Sequence, residues 1–317
     1  MPHRVITTFW TLVVPLAVLG ISIQVALSWR GRLPDPVATH WDTAGTPNGF
    51  APLSQALWLL VAVVVPLSLF WWSVGYFAGR SAVTRRLTAA CAVLVAVTIC
   101  GIVVGSLAIQ RGLDHATHAG GLGPWPGVAL AAGVLLALAA ARMTPGDEPQ
   151  PTREPVPASA PRTTMADERW RSTVVASRPW LAVGIGAAAV AVISLATRSR
   201  SVAVVLGVVM LALCAVTLRW TVTVDSRGLT ARCLLPRPRT FVPLDEIEQV
   251  RAVEISPLRH FGGWGYRIGA GGRVGIVVRA GEAILVQRTG GRELVVTVDE
   301  ARRLAGLLNT LADRSRR

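Results

Sequence analysis

Apolar and polar positions follow one rule up to about residue 218 and another from Trp220 onward. In the first part apolar residues run on without interruption; in the second they alternate with polar ones. A helix crosses the ~30 Å hydrocarbon core of a bilayer with about 20 consecutive apolar residues. Six stretches are read as spans on that criterion: Val5–Ser28, Leu53–Gly79, Leu87–Gln110, Gly127–Ala141, Pro179–Thr197 and Val202–Leu218. None of them contains Asp, Glu, Lys, Arg or His. The fourth is the shortest, and Pro124-Trp125-Pro126 is expected to prolong it at the interface. The first follows Arg4 and resembles a signal peptide, but its apolar run is longer than the 7–15 residues of a signal core, so a retained span is expected. Pro15 and Pro66 lie inside the first two spans and predict local kinks there.

From Trp220 the pattern predicts strands. Thr221–Val224 and Leu229–Leu234 flank the turn Asp225-Ser226-Arg227-Gly228 and read as a hairpin. Further strands are expected at Thr240–Leu244, Ile247–Ile255, Gly265–Ile268, Val274–Arg279, Ala283–Gln287 and Glu293–Val298. Leu304, Leu307, Leu308 and Leu311 then recur on one helical face, with Asp299 as the expected cap. About seven strands and a closing helix describe a small barrel or a pair of orthogonal sheets plugged by that helix. The order resembles bacterial pleckstrin-homology-like (PH-like) domains, with Val242-Pro243-Leu244-Asp245-Glu246-Ile247 similar to one of their strand elements. That resemblance covers about residues 220–312 and brings no catalytic residue with it.

Between the fourth and fifth spans the composition shifts to Pro, Thr, Ser, Ala, Asp and Glu, with prolines at 145, 149, 151, 155, 157 and 161. Such a stretch reads as an extended, disordered linker. The domain plan is therefore a four-span module (1–142) with an outer loop at 30–52, a cytoplasmic linker (143–178), a two-span hairpin (179–219) and a cytoplasmic β-rich domain (220–317). The fold class is a polytopic α-helical membrane protein of about six spans with a small C-terminal β-rich PH-like domain closed by one helix.

Composition agrees with this plan: 52% of residues are hydrophobic and 16% charged, with mean hydropathy +0.49. Soluble domains carry about a quarter charged residues. All 32 basic residues are arginine, which excludes Schiff-base and Walker-type lysines. Cys91, Cys100, Cys214 and Cys233 form no Cys-x-x-Cys pair, so neither a disulfide framework nor a zinc site is expected. With the N-terminus inside, ten arginines fall on inner segments and five on outer ones, which places both termini in the cytoplasm of a multi-pass cell-membrane protein. The C-terminal domain holds 16 arginines (Arg227 to Arg317) and 10 acids, a net +6 that proximity to anionic inner-leaflet lipid explains; no helix-turn-helix is legible, and nucleic acid is not an expected partner.

Candidate chemistry gathers in the loop after the first span. There Pro34 and Pro36 stiffen an extended exit, Pro47-Asn48-Gly49 reads as a turn, and His40, Trp41 and Asp42 lie between them. Leu33, Pro34, His40, Trp41, Gly45 and Gly49 resemble, one by one, the pattern of the family called domain of unknown function 1648. Members of that family often carry Ser-Lys after the second turn, where Ala51-Pro52-Leu53-Ser54 stands here. The family includes an immunity and signalling membrane protein of a toxin system, so the resemblance implies envelope sensing, immunity or signalling. His40, Trp41 and Asp42 are the recognition candidates, with Leu33, Pro34, Gly45 and Gly49 structural; the alternative is a structural cap over the helix ends. Asp114, His115 and His118 in the next outer loop have metal-ligand spacing but lack a clear fourth ligand, and no metal or cofactor is expected. No catalytic residue is read, so the chain is expected not to be an enzyme. The expected partners are the lipid bilayer, an extracellular peptide or toxin and a cytoplasmic protein. A transporter or transporter subunit is the alternative, and the absence of ionisable residues in the spans weighs against it.

Overall fold

A computed structural model describes residues 2–164, 169–176, 179–197, 200–235 and 239–316. The chain divides into two compact units, Met1–Gly146 with Gly186–Met210, and Asp147–Ile185 with Leu211–Arg317.

In the first unit, helix α1 (Pro2–Thr8) passes through a π-helical turn, Phe9–Val13, into α2 (Val14–Ser28). The π turn lies directly before Pro15, where the sequence predicts a kink. Proline has no N–H and crowds the carbonyl four residues back, and widening the preceding turn relieves that clash. The hydroxyl of Thr11 donates to the carbonyl of Thr7 at 2.7 Å inside this irregular stretch. A short hairpin follows, β1 (Val37–Trp41) and β2 (Pro47–Ala51), and then α3 (Leu53–Phe77), α4 (Ala82–Ala108) and α5 (Trp125–Met143). Among the described residues, four helices are long and apolar enough to cross a membrane: His3–Ser28, Leu53–Phe77, Ala82–Ala108 and Trp125–Met143. Their outward faces leave large apolar side chains such as Trp58, Leu59, Leu135 and Leu138 exposed, as lipid-facing helices do.

Small residues set the helix spacing. A Cβ on Gly101 would sit 2.8 Å from Ala129 Cβ, and one on Gly105 2.8 Å from Trp125, so this pair of glycines forms the seam between α4 and α5. Arg85, counted in the sequence as an inner-loop charge, lies in the first turns of α4 and is buried. Its guanidinium donates to the carbonyls of Gly79 at 2.9 Å, Arg80 at 3.3 Å and Gly146 at 3.3 Å. Arg86 Nε donates to Thr144 O at 3.0 Å. These carbonyls lie just past the C-terminal ends of α3 and α5, where helix carbonyls lack partners and the helix dipole favours a cation. The two arginines thus tie the ends of two helices to the start of a third.

The second unit carries β3 (Trp170–Val175), then α6 (Pro179–Thr197) and α7 (Arg200–Thr217), which are shared with the first unit. The apolar parts of these two helices, Val183–Ile193 and Ala203–Thr217, are shorter than the four long ones. The chain continues through β4 (Arg219–Asp225), β5 (Gly228–Cys233), β6 (Arg239–Pro243), β7 (Ile247–Ile255), α8 (Pro257–Phe261), β8 (Gly265–Ile268), β9 (Val274–Val277), β10 (Gly281–Arg288), β11 (Arg292–Thr297) and α9 (Ala301–Arg314). Two sheets form, in the orders β3-β4-β5-β6 and β7-β10-β11-β9-β8. All pairs are antiparallel except β11 with β9. Trp220, Val222 and Leu229 from one sheet, Ile247, Ile284 and Val296 from the other, and Leu304, Leu307 and Leu308 of α9 fill one core. Alternation along β4 buries Trp220, Val222 and Val224 and turns Arg219, Thr221 and Thr223 away.

Three sequence expectations need correction here. The Pro-rich stretch is extended but is not a free linker. Val156 and Ala160 are buried in the core of the β-rich unit, Asn309 Nδ2 donates to Pro161 O at 2.9 Å, and Arg162 pairs with Asp313 at 2.7 Å. Prolines hold the backbone extended, and two small apolar side chains suffice to bury that ribbon against α9. Trp170–Val175, placed within the linker, is the edge strand of the four-stranded sheet, so the β-rich unit begins well before residue 220. Asp299 does not cap α9; it pairs with Arg279, and Glu282 Oε2 accepts the Ala301 N–H at 3.2 Å instead.

One buried charge cluster locks the strap. Glu246 is 4% exposed; its Oε2 accepts from Arg288 at 2.5 Å and Arg292 at 3.0 Å, and its Oε1 from the Gln150 N–H at 3.1 Å. Burial works against its charge, but these donors outweigh burial and hold the carboxyl below its usual range.

Candidate functional site

The residues singled out in the loop between the first two long helices fold into the β1–β2 hairpin. Its register pairs Val37 with Ala51, Ala38 with Phe50, His40 with Gly49 and Trp41 with Pro47, with irregularities around His40. Pro47-Asn48-Gly49, read as a turn, is the start of β2. In a two-stranded ribbon a proline can open an edge strand because its missing N–H faces no partner. The actual turn is Asp42–Thr46, and Asp42 makes it: Oδ1 accepts the N–H groups of Ala44 at 2.8 Å and Thr46 at 2.9 Å. Gly45 completes the turn at φ +83°, a left-handed conformation suited to glycine. Gly49 serves by being small, since a Cβ there would come within 2.8 Å of His40 Cβ.

Each recognition candidate now has a place. His40 is exposed, with Nδ1 2.5 Å from Asn48 Oδ1 across the hairpin. Trp41 is half-buried and its Nε1 donates to Gly120 O at 3.1 Å, tying the hairpin to the loop between α4 and α5. Asp42 is exposed but occupied by its own turn. The three side chains are neighbours on one hairpin but hold different partners, so they do not converge on a common point. Of the structural candidates, Pro34 is buried, Leu33 packs with the cluster of Ala26, Val37, Leu57 and Leu107, and Gly45 lies close to Gly121.

The residue that sequence reasoning missed is Gln110, taken as the last residue of the third span. It is fully buried. Its Oε1 accepts the Ala38 N–H at 2.7 Å, and its Nε2 donates to Ala38 O at 3.0 Å and Ser106 O at 2.8 Å. A lone glutamine at the end of an apolar run was the available signal. Such a group needs partners once buried, and a free strand edge, with its N–H and C=O side by side, satisfies both ends of the amide.

Between the end of α2 and the start of α3, a cleft of about 230 Å³ is lined by Leu27, Leu33, Leu53 and Leu57 with Arg30 and Asp35 among its polar members. His115 and His118 meet edge to face with ring centres 5.8 Å apart, and no cluster of three metal-ligating side chains forms among the described residues. Arg111 lies over the Trp29 ring at 4.5 Å, a cation–π contact at the ends of α2 and α4.

Residues 17–65 match the family model of Domain of unknown function (DUF1648). The match covers α2 from residue 17 onward, the hairpin and the first half of α3, so the hairpin belongs to the family's own segment and the β-rich unit lies outside it. No curated protein and no solved structure matches the chain.

Proposed function

We propose, for a chain whose residues 17–65 carry a DUF1648 domain, that it is a non-enzymatic multi-pass protein of the cell membrane that senses or neutralises a peptide at the outer face. In this reading α6 and α7 are the fifth and sixth spans, both termini are cytoplasmic, and the β-rich unit is a PH-like adaptor that meets a cytoplasmic protein. The observation that carries it is the hairpin, fixed from below by Gln110 while His40, Asn48 and Phe50 stay exposed. A surface held rigid by buried hydrogen bonds binds without a large ordering cost. Its polar groups are spent unequally: Asp42 and Trp41 build the hairpin, which leaves His40 with Asn48 as the recognition pair.

The test uses a host lacking the protein, challenged with secreted peptide fractions. Wild type should protect, or report on a fused transcriptional readout, and His40→Ala present at the same membrane level should not. Equal activity of the variant would remove His40 from the site, and a wild type that responds to no fraction would contradict the reading.

A further inference from the structure

The β-rich unit has one end that differs from the rest of its surface, and the strand registers identify it. Helix α7 ends at Thr217 and β4 begins two residues later at Arg219. Trp220 opposes Cys233, so β5 runs back to this end and delivers Leu234 and Leu235 beside the helix exit. Val175 opposes Arg219, so the edge strand β3 finishes there too. The helix exit is joined stiffly to the sheet: Trp220 Nε1 donates to Val216 O at 2.7 Å, and the Ala176 N–H donates to Leu218 O at 2.9 Å. From the other sheet, Gly265 abuts Thr217, since a Cβ there would sit 2.6 Å from Thr217 Cγ2, and Trp264 precedes it. Leu234 is 68% exposed, Val175 49% and Trp264 44%.

With Leu235 at 37%, four partly exposed apolar side chains thus lie beside the point where an apolar helix enters the domain. The charged residues at this end include Arg219, Arg232, Arg239 and Arg267, all exposed, and no carboxylate occurs in 216–221, 232–235 or 264–268. At the far end of β4 the turn is acidic and basic together, with Asp225 paired to Arg227. Apolar and aromatic tips beside arginines and away from carboxylates match the surface of an anionic bilayer, where Trp is at home at the headgroup level and Arg is drawn to the anionic headgroups.

We infer that this rim, Val175, Leu234, Leu235 and Trp264 with Arg219 and Arg239, is a membrane-docking edge that inserts into the anionic leaflet from which α7 emerges. The inference rests on the reading of α7 as a span and adds a fixed orientation to it. The domain does not hang on a flexible stalk; the leaflet itself is part of its support.

The experiment uses the full chain in vesicles of phosphatidylethanolamine and phosphatidylglycerol. An environment-sensitive fluorescent amino acid is placed singly at positions 211, 226, 235 and 264. Leu211, on α7, reports the span, and Ser226, in the far turn, reports the distal end of the domain. Nitroxide lipids should quench 211, 235 and 264 several-fold more than iodide does, and 226 should show the reverse. Lipid quenching at 211 with iodide quenching at 235 and 264 overturns the docking edge and leaves the span standing. Iodide quenching at 211 overturns the span and the edge with it, and lipid quenching at 226 overturns the proposed orientation. Replacing phosphatidylglycerol with phosphatidylcholine should lower lipid quenching at 235 and 264 and leave 211 unchanged; no change at 235 and 264 overturns the anionic-lipid assignment.

Discussion

The side-chain amide of Gln110 pairs with both backbone groups of Ala38, accepting the N–H at 2.7 Å and donating to the carbonyl at 3.0 Å. A strand edge that would otherwise need a third strand is closed by one side chain at the end of α4. The hairpin is thereby fastened to the end of the third long helix.

Gln110→Leu should leave the buried Ala38 groups without partners, at about 1–3 kcal/mol for each unsatisfied group. The hairpin should then be cut by protease in purified protein well before the helices, and thermal unfolding in detergent should begin earlier. Unchanged cleavage would mean that the hairpin is held elsewhere.

Asp42→Ala removes the acceptor for two amides, whereas Asp42→Asn keeps an oxygen in place. Hydrogen exchange at Ala44 and Thr46 should speed up in the first and stay near wild type in the second. If the Asn variant exchanges as fast as the Ala variant, the negative charge and not the acceptor geometry matters, and Asp42 returns to the recognition candidates.

Sequence alone exposed the strands with regular alternation, and β7 and β8 fall at their expected limits, Ile247–Ile255 and Gly265–Ile268. It also exposed the apolar helices, because those signals are local. What it did not expose depends on distant partners. Val156 and Ala160 are two small residues among prolines, and only α9, about 150 positions later, gives them a core to enter. Val174 is the single buried side chain of β3, too little to mark a strand in a polar segment. In the hairpin, Pro36, Pro47 and Gly49 imitate turn chemistry, and the true turn is set by the Asp42 carboxylate.

Arg85→Met keeps the length of the side chain and loses its donors to Gly79, Arg80 and Gly146. Hydrogen bonds from a charged donor contribute about 1.5–3 kcal/mol each. The variant should accumulate at a clearly lower membrane level and unfold earlier in detergent, and Arg86→Met, with one carbonyl partner in Thr144, should do so to a smaller degree. The opposite ranking would show that the helix ends are not held by Arg85.

Glu246 has a folded-state pKa below its unfolded value, so its contribution to stability is present above the ordinary glutamate range near pH 4.3 and is lost as pH falls through the depressed value. Acid unfolding of wild type should therefore steepen below about pH 4. Glu246→Gln should be less stable at neutral pH and flatter in acid, read by tryptophan fluorescence against pH. Parallel curves for the two proteins would show that the carboxylate carries no such linkage.

In the proposed function the hairpin and the β-rich domain face opposite sides of one membrane, and thiol labelling in intact cells is the direct test. Cysteine is introduced at Thr43, in the hairpin turn, or at Ser226, in the β4–β5 turn, both exposed positions. A membrane-impermeant maleimide should label the position-43 variant in intact cells and the position-226 variant only after permeabilisation. Labelling of both, or of position 226 alone, in intact cells would contradict the account.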